Sequence, residues 1–230
     1  MCIRDSSRLV IIDLTDDAAQ PMTSANGRYV LTYNGEIYNF KALRQELLEQ
    51  GHQIKTTSDT EVLLHLYDRF GTDMVAKLRG MYAFVIWDKF RNGLFMARDP
   101  FGIKPLYYSD NGTTIRIASQ VKALLAGNYI GRSPDPAGHV GFFLLGYVPE
   151  PHTLYAEIQA LPSGTSLWLE KGGKRHHKSF FDLKKHLARQ DPQISQFDQS
   201  SHLRAALMSS VKDHFVSDVP VGIFLSSGLD

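Results

Sequence analysis

The chain has 230 residues, 43% hydrophobic and 21% charged, enough apolar material for one large domain or one domain with part of another. Lys plus Arg number 25 against 24 Asp plus Glu, a net charge of +1, so the composition carries no electrostatic footprint for nucleic acid. The one cysteine, Cys2, can form no internal disulfide, and no apolar run approaches the roughly 18 residues of a membrane span. The first residues contain no hydrophobic signal core, so a cytoplasmic protein with no membrane partner is expected.

Leu9–Leu14 is a near-continuous apolar run that suits a buried strand. Arg28–Tyr33 is rich in β-formers, and Asn34-Gly35 follows as a turn signal. Phe40, Leu43 and Leu47 recur at helical spacing, with Gly51 as a stop. Ser58 or Asp59 caps a second helix carrying Val62, Leu63, Leu66, Tyr67 and Phe70. Tyr82–Trp87 and Leu94–Ala97 read as strands paired around Arg91-Asn92-Gly93, and Thr114–Ala118 as a further strand.

Pro134–Pro162 is rich in Pro and Gly around an apolar segment. Leu167–Leu169 and Ser179–Phe181 flank the polar turn Lys171-Gly172-Gly173-Lys174, which predicts a hairpin. Leu187–Ser200 has the polar composition of a linker, and a domain boundary is placed near Pro192. Leu203, Leu207, Val211 and Phe215 then predict an amphipathic helix, and Val219–Leu225 a buried strand. One helix and one strand cannot close a domain, so the second domain is read as incomplete. The two domains are bounded at 8–190 and 198–230.

The most informative block is Asn34-Gly35-Glu36-Ile37-Tyr38-Asn39. It reads either as a turn ending a strand or as an oxyanion hole. Amide hydrolysis passes through a tetrahedral oxyanion, and an Asn side-chain NH₂ beside a Gly N–H supplies two fixed donors for it.

The ordered series around that block carries more information. It comprises Arg8–Leu14, Gln20-Pro21-Met22, the Asn34 block, Ser58-Asp59-Thr60-Glu61-Val62, Gly80–Phe84 and Arg98–Tyr108. The series resembles the glutaminase domain of class II glutamine amidotransferases, the N-terminal-nucleophile kind, with the asparagine synthase family as its best match. The resemblance implies an α+β fold, an αββα sandwich of antiparallel sheets, followed by the start of an α/β ATP-pyrophosphatase domain.

It also implies site roles. Arg8 would grip the glutamine carboxylate with its planar, permanently charged fork, and Asp59 would receive the ammonium. Asn34 and Gly35 would form the oxyanion hole, and Glu36 would adjoin the bound glutamine. The bland alternatives are Arg8 as a surface charge and Asp59 as a helix cap. Arg98-Asp99-Pro100-Phe101-Gly102 is read as scaffold, with at most an indirect role.

The family's nucleophile is an N-terminal cysteine. Cys2 occupies that sequence position, but Ile3 follows it where the family has Gly. Five residues separate Cys2 from Arg8, where the family has several dozen, including an Arg-Gly-Pro-Asp motif. No nucleophile is therefore assigned; residues 1–6 read as unrelated sequence, and the chain as a fragment inactive on its own.

Leu225, Ser226, Ser227, Gly228 and Asp230 resemble the pyrophosphate loop of ATP pyrophosphatases, with Ser227 in place of a glycine. The resemblance implies ATP with Mg²⁺ as cofactors of the intact enzyme, none bound by the glutaminase domain, and a homodimer among the assemblies it allows. Ammonia freed from glutamine would amidate aspartate in an ATP-dependent step. The alternatives are an amidotransferase acting on another carboxylate or a cell-surface glycan precursor, and a non-catalytic module that binds glutamine or a partner. His176-His177 would point to opposite faces of a strand, so no metal ligand is assigned.

Overall fold

A computed structural model describes residues 11–188 and 196–224. Its elements in chain order are β1 (Met22–Thr23), β2 (Tyr29–Ile37), α1 (Phe40–Glu49), α2 (Asp59–Phe70), β3 (Gly80–Asp88) and β4 (Gly93–Arg98). Next come β5 (Tyr107–Asp110), β6 (Ile115–Ala118), α3 (Val121–Ala126), α4 (Pro136–Leu145), β7 (Gln159–Ala160), β8 (Thr165–Glu170) and β9 (Arg175–Ser179). Two further helices, α5 (Leu183–Leu187) and α6 (Gln196–Asp213), close the series.

The strands form two antiparallel sheets. The larger runs β1-β2-β3-β4-β8-β9 and the smaller β6-β5-β7. Period-2 alternation sorts the side chains of the larger sheet into two cores. Tyr82, Phe84, Ile86, Phe95 and Ala97 face the helix side, where they join Leu43 and Leu47 of α1 and Val62, Leu63 and Leu66 of α2. Ala83, Met96 and Leu167 face the other way and meet Tyr108 of the smaller sheet. That sheet covers its own outer side with Leu124 and Leu125 of α3. The layers are helix, sheet, sheet, helix.

Local chemistry explains the helix ends that matter for the site. Ser58 is the N-cap of α2: its side chain accepts the Thr60 N–H, leaving Asp59 as the first helical residue with its carboxylate unused by the cap. At the end of α1, Gly51 takes positive φ and the His52 N–H returns to the Leu47 carbonyl.

Several expectations are corrected. Residues 11–14 form no strand: Ile12 is buried, but Asp13 adopts positive φ and turns Leu14 outward. Asn34-Gly35 does not end β2. The strand continues to Ile37 in unbroken register with β3, pairing Asn34 with Ala83 and Gly35 with Tyr82. The last strand of the larger sheet is Arg175–Ser179, polar and exposed throughout, held by backbone pairing with β8 and not by apolar burial. Residues 219–224 have no regular structure, and Val221, Ile223 and Phe224 are exposed, because no neighbouring strand lies beside them among the described residues. The linker composition of Leu187–Ser200 overlaps α6, which already starts at Gln196. Among the described residues no helix is long and apolar enough to cross a membrane.

Candidate functional site

Among the described residues, the far end of β2 is an open edge. β1 covers only Val30 and Leu31, so from Tyr33 onward the side of β2 away from β3 has no strand partner among the described residues. The backbone donors there find other acceptors. Tyr33 N–H donates to the Gln20 side chain at 2.7 Å, and Ile37 N–H donates to Asp59 Oδ2 at 3.2 Å. Donors alternate along a strand, so the Gly35 N–H between these two points to the same open edge. Tyr82 opposite agrees with this: its N–H and carbonyl engage Asp99.

Gly35 is required at this point. Its φ is +149°, and a Cβ there would run into the Met81 carbonyl oxygen. Only a residue without a side chain lets β2 and β3 approach so closely while the strand continues.

Two carboxylates converge at the edge. Asp59 is 3% exposed, and its Oδ2 also accepts the Tyr33 hydroxyl at 2.7 Å, so the start of α2 is tied to β2 at two points. Glu36 is 6% exposed, and its Oε1 has no hydrogen-bond partner. Burial, reinforced by the charge of Asp59, pushes the Glu36 carboxyl up to about 7; His214 and Lys104 act in the opposite sense. A buried carboxyl left without a donor is expensive, and its natural complement is a donor brought by a ligand. Asn34 is exposed on the face it shares with Glu36, and its side chain has no partner among the described residues.

Behind the edge lies the loop of residues 99–105. Asp99 is fully buried and gathers four backbone N–H groups, from Tyr82, Phe101, Ile103 and Lys104. Arg98 closes the same loop, donating to the carbonyls of Lys104, Gly102 and Leu161 and pairing with Glu150. The loop thereby holds Lys104 where its charge favours an ionised Glu36.

The structure thus brings Asn34, Gly35, Glu36 and Asp59 to one place. Arg8, Cys2 and the run Leu225, Ser226, Ser227, Gly228, Asp230 lie outside the described residues. Tyr33, Lys104 and His214 contribute to the site, and sequence reasoning passed over all three. None carried a local signal, because each acts through a contact made across the fold.

A family model for a glutamine amidotransferase domain matches residues 2–181, and one for asparagine synthase matches residues 202–230. The chain is similar to asparagine synthetase (glutamine-hydrolyzing) 1 of Bacillus subtilis, 39% identical over 97% of this chain and 34% of that protein. It is also similar to asparagine synthetase B (glutamine-hydrolyzing) of Escherichia coli, 36% identical over 97% of this chain and 34% of that protein. It therefore spans 34% of the length of each of these two relatives. Among solved structures, it resembles the glutamine phosphoribosylpyrophosphate amidotransferase of B. subtilis. The two share 26% identity with a TM-score of 0.50, over 71% of this chain and 32% of that one. The fold is of the N-terminal-nucleophile amidotransferase type, mixed α+β with antiparallel sheets.

Proposed function

The chain belongs to the glutamine amidotransferase family, and from that premise we propose that the open edge of β2 is a pocket for glutamine. The observation that carries this reading is the unpartnered Glu36 carboxyl beside Asp59 on a strand edge that also presents the Gly35 N–H. Glutamine offers a cationic ammonium and a side-chain amide. The two carboxylates suit the ammonium, and the Gly35 N–H with the Asn34 amide suits the oxygen of a tetrahedral intermediate. Arg8 would hold the carboxylate end.

In the intact protein the ammonia released would amidate a carboxylate, with aspartate the substrate favoured by the similarity to asparagine synthetases. The match of residues 202–230 to the asparagine synthase model supports an ATP- and Mg²⁺-dependent second domain. Leu225 to Asp230 would then open its nucleotide loop.

The test is calorimetric titration of the chain with L-glutamine, L-glutamate and L-asparagine. Glutamine is expected to bind best, and Asp59→Asn to weaken it by at least about tenfold through loss of a charge-assisted contact. Equal binding of all three, or indifference to Asp59→Asn, would overturn the assignment.

A further inference from the structure

The segment following α6 makes a set of contacts that the glutamine reading does not use. It lies in the stretch that matches the asparagine synthase model, yet it packs on the amidotransferase domain. Val216 joins the core shared by the larger sheet and α1 and α2. The His214 Nε2 lies 3.2 Å from the Tyr38 hydroxyl, with the two rings 4.9 Å apart. Asp218 bonds twice to the loop before β1: its Oδ2 accepts the Asp13 N–H at 2.9 Å, and its own N–H donates to the Ile11 carbonyl at 3.0 Å. A local turn sets Asp218 for this, since the Ser217 hydroxyl accepts the Val219 N–H at 3.0 Å.

Each contact leads to one wall of the pocket. Tyr38 is two residues beyond Glu36 on the chain that carries Asn34 and Gly35. Asp13 passes the second contact onward. Its Oδ2 accepts both the N–H and the hydroxyl of Thr57, at 2.9 and 3.1 Å, and Thr57 directly precedes the Ser58 cap and Asp59. Burial opposes ionisation of Asp13, but the donors from Thr15 and Thr57 outweigh it and hold its carboxyl below the usual range. The path from Asp218 to Asp59 is thus a continuous run of hydrogen bonds and short peptide links. On the strand side, Arg79, whose carbonyl accepts the Tyr38 N–H, also pairs with Asp213 at 3.3 Å, an exposed contact that adds little.

We propose that residues 213–218 are a two-point strut that positions the glutamine pocket, with His214 and Asp218 as positioning residues. His214 steadies the strand side through Tyr38, and Asp218 steadies the helix side through Asp13 and Thr57. The two walls of the pocket are then referred to one short segment of the second matched region. A shift of that region changes the spacing of Glu36 and Asp59, which couples its state to glutamine affinity. This use of the strut rests on the glutamine reading; the strut itself does not.

The experiment compares the 230-residue chain with its Asp218→Ala, Asp218→Asn and His214→Ala variants by amide hydrogen exchange and by glutamine titration. Asp218→Ala is expected to speed exchange at Thr57 and Ile37 by about tenfold, with Phe84 and Phe95 in the sheet core unchanged. Asp218→Asn keeps an acceptor for the Asp13 N–H and should restore most of the protection. His214→Ala should act at Ile37 and spare Thr57. Glutamine affinity should fall about three- to tenfold in the two alanine variants. Unchanged exchange at Thr57 and Ile37, or equal acceleration throughout the sheet, would overturn the strut. Loss of glutamine affinity in Asp59→Asn, with none in the strut variants, would leave the pocket standing and remove the coupling. Indifference of glutamine binding to Asp59→Asn would instead remove the pocket, and the exchange data would still decide the strut.

Discussion

Glu36 and Asp59 are buried carboxylates brought together from a strand and a helix start, and they are held differently. Asp59 receives the Tyr33 hydroxyl and the Ile37 N–H, whereas the Glu36 Oε1 receives nothing. The asymmetry makes Glu36 the group that resists ionisation, with its carboxyl pushed up to about 7 by burial and by Asp59.

That shift gives a pH dependence. The folded protein keeps the Glu36 proton up to about pH 7, whereas the unfolded chain releases it near the ordinary value of 4.5. The stabilisation is complete below pH 4.5 and is lost as pH rises through 7. Glu36→Gln should therefore match the parent chain near pH 4.5 and exceed its unfolding midpoint at pH 8 by about 2–5 °C. Thermal scans across that range check it; a variant less stable at pH 8 would contradict it.

Tyr33→Phe removes one of the donors that Asp59 uses while keeping the ring in the core. The expected cost is about 1–3 kcal/mol, because the carboxylate stays buried with one partner fewer. Urea unfolding should show a lower midpoint with an unchanged slope.

Gly35→Ala should be among the most damaging single substitutions in the chain. The added methyl meets the Met81 carbonyl and the φ of +149° disfavours any side chain, so a loss above about 3 kcal/mol is expected. Gly27→Ala is the control. It also has positive φ, but open space surrounds it, so its cost should stay near about 1 kcal/mol. Comparable stability of the two variants would show that close approach to β3 is not what selects glycine.

Asp99→Asn should loosen the loop at 99–105. The amide places a donor where the carboxylate collects four backbone N–H groups, and about 2–4 kcal/mol is expected to be lost. Limited proteolysis should then cut near Phe101, which is already exposed. Protection equal to the parent would show that Arg98 alone holds the loop.

Much of the fold was legible because it is local. Apolar runs at Tyr82–Trp87 and Leu94–Ala97 on either side of the turn-like Arg91-Asn92-Gly93 marked β3 and β4, helical spacing marked α1 and α2, and the hydroxyl of Ser58 marked a cap. The order of the motifs also singled out Asn34, Gly35, Glu36 and Asp59 as a set. What the chain could not reveal by itself was how its neighbours would use those residues. Asn34-Gly35 has the composition of a turn and sits inside a strand, because Gly35 lies against Met81 from a different segment. Arg175–Ser179 has no apolar face and is still a strand, because β8 supplies its hydrogen bonds. The raised carboxyl of Glu36 needs burial and the charge of Asp59 from another segment, and Lys104 and His214, from two more, oppose it. Periodicity and caps are properties of adjacent residues and are written in sequence. Burial, register and electric field depend on which distant segments share a space, and only the tertiary structure decides that.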